Sequence, residues 1–295
     1  MAVPLSRLGV PIGGLATGIL LMLAAQVVIM PASDAVAKYL VAILPVVQVA
    51  WARFALNFLL LAPVAFWHHR RYVLSPARPR LQLLRGILMV ASNLLFVAGL
   101  RFVPLAEAAA IAFVAPLAVA AFSPFVLREP VGRFGWAAVA AGFVGTLVII
   151  RPGLSGVGLT ALLPLGAGLG FAGYLLVTRK LAGISPPLVT QTATAAIGAA
   201  VTSFLLPFAG WSDPGPFGWA LMLAIGCATC IGHVLITTAH IYAPAATLAP
   251  LTYLSLVSST VLGFLVFGHL PDAPTWLGAV IVVGSGLAIW RYGRT

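Results

Sequence analysis

The sequence predicts an all-α membrane protein of ten transmembrane helices, arranged as two inverted five-helix repeats. Three observations carry that expectation. Hydrophobic residues make up 62% of the 295 and charged residues only 7%, against roughly 25% charged residues in a soluble domain. Apolar runs of about 18 or more residues recur along the chain, each long enough to cross a hydrocarbon layer as a helix. They are continuous rather than alternating, which implies helices and not a barrel. The third observation is an internal duplication. Shifted by 140 positions, Leu81–Gly153 lies over Leu221–Gly293 with 13 of 73 aligned positions identical, among them Gly86/Gly226, Pro104/Pro244, Trp136/Trp276, Arg151/Arg291 and Gly153/Gly293.

Spans are expected at 13–40, 44–67, 81–100, 104–127, 133–150, 158–180, 186–208, 217–239, 244–268 and 274–291. Pro and Gly mark the joints, as at Ser75-Pro76, Arg78-Pro79, Glu129-Pro130, Pro152-Gly153 and Asp213-Pro214-Gly215-Pro216. The seam at Pro152–Val157 divides a first repeat, 1–153, from a second, 154–295. It is short, so the two must pack as one unit. The first run lacks a clear small-residue cleavage site and is expected to be retained as a helix.

The net charge of +11 does not form one soluble basic patch, so nucleic acid is excluded as a partner. With the N-terminus in the cytoplasm, Arg7, Arg70, Arg71, Arg78, Arg80, Arg85, Arg128, Arg133, Arg179, Lys180, Arg291 and Arg294 fall inside, and Lys38, Arg101 and Arg151 outside. That bias places both termini in the cytoplasm. Five spans per half make the second copy cross in the opposite sense, the inverted arrangement of secondary transporters.

Polar groups within spans are costly and mark cavities or partners. In the first span, Gln26 precedes Pro31, which should bend or break the helix. Asp34 and Lys38 share a face four residues apart and can neutralise each other, as a surface ion pair or as part of an external gate. Arg53 in the second span is a lone charge expected to snorkel or to pair with Asp34 or a helix C-terminus, in a structural counter-ion role. The third span carries Asn93 mid-membrane, and the repeat aligns it with His233. Across the pseudo-two-fold axis the two would face each other. The fourth holds Phe113 and Pro116, the latter a candidate hinge. The fifth has Gly142 and Gly145, the sixth Gly166, Gly168, Gly170 and Gly173, all suited to close helix packing. The fifth and tenth, with few polar groups, are assigned to the periphery or a dimer contact.

Tyr174 lies deep in the sixth span. In the seventh, Thr190, Gln191, Thr192, Thr194, Thr202 and Ser203 suit interhelix bonding. The eighth span presents Thr229, His233 and Thr237 at i, i+4, i+8, one polar stripe. A proton-coupled His233 is a further option. Cys227 and Cys230 lack flanking ligands and read as small packing residues. In the ninth, Thr252, Tyr253, Ser255 and Ser259 form a polar face. No catalytic motif, phosphate loop or metal cluster is present. No cofactor, metal or enzymatic activity is expected.

The stretches Trp51-Ala52-Arg53-Phe54, Pro104–Ala110 and Phe125–Pro130, with Pro116 and the duplicated halves, resemble the ten-helix EamA type of the drug/metabolite transporter superfamily over about residues 13 to 291. The resemblance implies a bacterial inner-membrane transporter with both termini inside and a central cavity lined by spans 1, 3, 4, 6, 8 and 9. Gln26, Asn93, Tyr174, His233 and Tyr253 then fall on the cavity side, and Thr237 joins them through its stripe. Among branches, the chain is similar to bacterial exporters of broad or aromatic amino-acid preference. It departs from pattern at His269, which stands where the first repeat has Glu129.

The function expected is export of amino acids or similar small metabolites by alternating access, in a lipid-embedded monomer. Proton-coupled multidrug efflux is the alternative, weakened by the lack of a midplane acid in the first span. A membrane enzyme or a non-transporting scaffold is a third class, to be distinguished by the absence of a cavity between the halves.

Overall fold

The computed structural model describes residues 12–151, 158–181 and 184–292. The predicted seam, Arg7, Arg294 and the Gly153/Gly293 pair lie outside them. Among the described residues ten helices are long and apolar enough to span a membrane. They are α1 (Gly14–Ile43), α2 (Val46–Val73), α3 (Pro79–Leu100), α4 (Leu105–Val126), α5 (Arg133–Ile150), α6 (Gly158–Leu181), α7 (Pro187–Ala209), α8 (Gly215–Tyr242), α9 (Ala249–Phe267) and α10 (Ala273–Tyr292).

Local chemistry sets the boundaries. Pro79 and Pro187 occupy first-turn positions, where the missing N–H costs nothing. Gly268 closes α9 at φ 70°, its N–H donating to the Phe264 carbonyl at 2.9 Å, a left-handed cap that suits glycine. The helix α2 runs past its expected end, although His69 inside it departs from helical geometry (φ −135°).

Proline shapes three of the helices. Pro31 does not break α1. The chain instead widens into a π-helical turn at Ala24–Ile29 immediately before it, which absorbs the crowding between the ring and the preceding carbonyls. In α4 the regular helix stops at Ala112 and restarts at Val114, with Phe113 at ψ 1°, three residues before Pro116. The helix α9 begins as a 3-10 turn, Ala249–Tyr253, that contains Pro250.

The packing obeys the duplication. The pair α3·α6 recurs as α8·α1, α3·α7 as α8·α2, and α4·α6 as α9·α1, while α2·α7, α4·α9 and α5·α10 pair with their own equivalents. Gly86 of α3 receives Ile197, and its repeat partner Gly226 of α8 receives Leu56. Phe113 and Tyr253, also 140 residues apart, stack on each other with ring centroids 5.2 Å apart, as residues beside a two-fold axis must. The fifth and tenth helices pack on each other within the chain. The Gly145 and Gly278 backbones meet there.

Because the helices alternate in direction, the bundle has two ends. One carries Arg70, Arg71, Arg78, Arg80, Arg128, Arg133, Arg179, Lys180 and Arg291 and is called the basic end. Contacts close the opposite end. Gln48 of α2 exchanges hydrogen bonds with the Ser212 backbone (2.9 and 3.1 Å). Arg151, at the end of α5, pairs with Asp272 at 2.7 Å. Asp272 also caps α10 by accepting from the Thr275 N–H at 3.0 Å. Lys38 donates at 2.8 Å to both the Leu100 and Val103 carbonyls at the C-terminus of α3, and lies 5.6 Å from the Phe267 ring centroid.

Candidate functional site

Lys38 is therefore not the partner of Asp34, as the four-residue spacing suggests. The negative end of α3 holds the ammonium, and Asp34 is left for another cation. That cation is Arg53. Its Nη2 lies 2.7 Å from Asp34 Oδ1 and also donates to the Ser33 carbonyl at 3.0 Å and the Ser33 hydroxyl at 3.3 Å. Arg53 is 6% exposed, and its Nε finds no partner. Ser33 is 3.5 Å from Thr229 Oγ1, so the cluster ties α1 to α2 and α8 deep in the bundle.

Asp34 and Pro31 form one part of the wall of a cavity of about 610 Å³ between the two repeats. The first helix contributes Met22, Gln26 and Met30 as well, and Gln26 sits in the π-helical turn. The wall of α4 is Ala109, Ala112, Phe113, Ala115 and Pro116, exposed where the helix is interrupted. From α6 come Phe171, Tyr174 and Thr178, from α8 His233, Thr237 and His240, and from α9 Thr252, Ser255 and Ser259. Helix α3 adds Arg85 and Phe96. The seventh helix, absent from the expected set, adds Pro187, Thr190 and Gln191. The cavity reaches the helix ends at Pro187 and His240, on the basic side. Towards the closed end it stops at Asp34, Phe96 and Ala109, each about a turn or more inside its helix.

Gln26, Tyr174, His233 and Thr237 thus come together on one surface, with Pro31, Asp34 and Pro116. Asn93 and Tyr253 are not on it. Tyr253 packs behind the surface against Phe113 and fills the space over Gly286, where a Cβ would strike its hydroxyl. Asn93 is half-buried, and its Oδ1 is buried without a partner. The same holds for His233 Nδ1, although the residue itself borders the cavity. Two ring pairs, Phe113–Tyr253 and Phe171–Tyr174 (5.5 Å between centroids), supply apolar faces beside these polar groups.

The residue that sequence reasoning misplaced is Arg85. Counted with the charges that orient the chain, it is instead 3% exposed and spans three helices. Its Nε donates to Thr178 Oγ1 at 2.7 Å, Nη1 to the Thr190 carbonyl at 2.6 Å and to Thr194 Oγ1, and Nη2 to Tyr174 Oη at 2.6 Å. One signal was available: Arg85 follows Pro79 by more than one helical turn, which puts it inside the span rather than at its lip.

Among the described residues no group of three or more His, Cys, Asp or Glu is placed to hold a metal. Cys227 and Cys230 are free thiols on α8.

Comparison with known proteins adds the following. The model of the EamA-like transporter family matches residues 16–151 and again 158–291. A riboflavin transporter of Rhizobium johnstonii is 31% identical over 244 residues, covering 78% of this chain and 81% of that protein. An S-adenosylmethionine uptake transporter of Rickettsia felis is 29% identical over 258 residues, covering 88% and 87%. A pseudopaline exporter of Pseudomonas aeruginosa is 27% identical over 263 residues, covering 88% and 90%. A crystal structure 19% identical in sequence superposes with a TM-score of 0.66 over 95% of this chain and 98% of its own, a likeness of fold.

Proposed function

This chain belongs to the EamA-like transporter family, and from that premise we propose that it exports amino acids or similar small metabolites by alternating access through the central cavity. The observation that carries the reading is the cavity itself: it lies between two inverted repeats, is sealed at one end and reaches the basic end. By the positive-inside rule the basic end is cytoplasmic, with both termini on that side of a bacterial inner membrane. A cavity open to the cytoplasm is the loading state of an exporter.

The cargo's upper size follows from the volume. About 610 Å³ lies within the range that encloses drug-sized ligands. A single amino acid would leave part of it to water, and cofactor-sized metabolites such as those named for the relatives also fit. Gln26, His233 and Thr237 would bond the cargo's polar groups, and the Phe113 and Phe171 rings would cover an apolar or aromatic portion. Reorientation would use the π turn of α1 and the interruption of α4, because both depart from regular helical bonding beside a proline. The Lys38 and Gln48 bonds at the sealed end would have to open.

The test is counterflow in proteoliposomes, with labelled amino acids, riboflavin and S-adenosylmethionine as the panel. Saturable exchange of at least one solute is expected. His233→Ala and Gln26→Ala should each lower kcat/KM about tenfold, the equivalent of losing roughly 1.4 kcal/mol of polar contact. Unchanged exchange in both variants would move the cargo site elsewhere.

A further inference from the structure

Arg85 is a buried cation with no anion in reach among the described residues. The five acids are all placed. Asp34 pairs with Arg53, Glu129 with Arg179 and Asp272 with Arg151. Asp213 accepts from the Gly215 N–H in the loop at the opposite end, and Glu107 stands in the first turn of α4, also at that end. Every acceptor on Arg85 is neutral: two threonine hydroxyls, one backbone carbonyl and one phenol. A guanidinium stays protonated in proteins, and a buried charge without a counter-ion is strongly disfavoured. Arg85 also borders the cavity, together with Tyr174, Thr178, Thr190 and Gln191.

We propose that Arg85 is the anion subsite of the cavity, so that the preferred cargo carries a carboxylate, phosphate or sulfonate. The inference rests on the reading of the cavity as the cargo path. Nη2 has two N–H groups and one acceptor, Tyr174 Oη, which leaves a donor for the solute. Tyr174 accepts from Arg85, so its own proton is free to be donated. The two groups thus offer adjacent donors to one anionic head. The threonines hold the guanidinium fork in place, which spares the cargo the cost of ordering it.

A guanidinium that merely staples α3, α6 and α7 would stabilise the fold without distinguishing solutes by charge. The experiment therefore reads a ratio. Purified full-length protein is titrated with matched probes that differ only in the anion: riboflavin 5′-phosphate against riboflavin, and phenylalanine against phenylalaninamide. The same pairs are then compared in proteoliposome counterflow. Wild-type protein should prefer the anionic member of at least one pair by about tenfold or more. Arg85→Gln should abolish that preference, and Arg85→Lys should keep part of it. Tyr174→Phe, which leaves the charge in place, should reduce the preference without abolishing it and remains informative if Arg85→Gln fails to fold.

Equal binding of both members by wild-type protein, or a preference that survives Arg85→Gln or is untouched by Tyr174→Phe, would overturn the anion subsite while leaving the transport reading standing. If no member of either pair binds or exchanges while the counterflow panel finds another solute, that solute and its carboxamide become the matched pair, and equal exchange of the two overturns the anion subsite alone. If that panel is also silent, the cavity is not a cargo site and both readings fall.

Discussion

Removing the carboxylate of Asp34 should strand the Arg53 guanidinium inside the bundle. The pair has a single 2.7 Å contact, with Arg53 6% exposed as a residue and the Asp34 side chain 27% exposed towards the cavity. Breaking a buried ion pair from one side costs about 3–5 kcal/mol, because the remaining charge is left uncompensated. Cavity water reaches Asp34, and the Ser33 carbonyl and hydroxyl remain as acceptors, so we take the cost of Asp34→Ala as about 2–3 kcal/mol. For a chain of this size that corresponds to a fall in Tm of roughly 4–12 °C. Asp34→Asn, which keeps one acceptor, should lose about half as much. The assay is thermal unfolding of detergent-solubilised protein followed by intrinsic fluorescence. In the double variant Asp34→Ala/Arg53→Leu the stranded charge is gone, and part of the loss should return. A melting temperature for Asp34→Ala within about 1 °C of wild type, or strictly additive single and double variants, would refute the claim that these charges depend on each other.

Two further outcomes follow from the packing and from the closed end. Gly86→Ala and Gly226→Ala should both lower Tm: a Cβ at Gly86 would lie 2.6 Å from Ile197 Cδ1, and one at Gly226 would meet Leu56 Cβ and stand 3.0 Å from the Ala52 carbonyl. The overpacking cost of about 1–3 kcal/mol opposes a helix-propensity gain of about 1 kcal/mol, and the two positions should respond alike because the repeat makes them equivalent. A rise in Tm for either would contradict the close approach of these helices. At the closed end, hydrogen bonding from Thr275, aided by Arg151, holds the Asp272 carboxyl below its ordinary range. The folded-state pKa is depressed, so the stabilisation is complete above the unfolded value and fades as pH falls through that value towards the folded one. The acid-side loss of stability between about pH 5 and 3 should therefore be smaller in Asp272→Asn than in wild type, and parallel acid melting curves for the two would show that the cap and ion pair contribute nothing.

The number of helices, their approximate limits, their division into two halves and the antiparallel relation of those halves could be read from the chain alone. Hydrocarbon admits so few backbone solutions that apolar length and the placement of arginines nearly dictate them. Gln26, His233 and Thr237 could be picked out for the same reason, since each is a polar group where polarity is expensive. What the sequence left open was which partner each polar group meets. Spacing within α1 puts Asp34 and Lys38 on one face but carries no information about α2 or α3, which arrive from other parts of the chain. Only the packed bundle sends Asp34 to Arg53 and Lys38 to the end of α3. It also leaves Asn93 off the cavity wall although its repeat partner His233 borders it, since the cavity does not follow the repeat symmetry that the helix pairing obeys. Arg85 shows the limit most sharply. Along the chain it is one more arginine near a span end, and its burial among neutral oxygens exists only once α6 and α7 close around it.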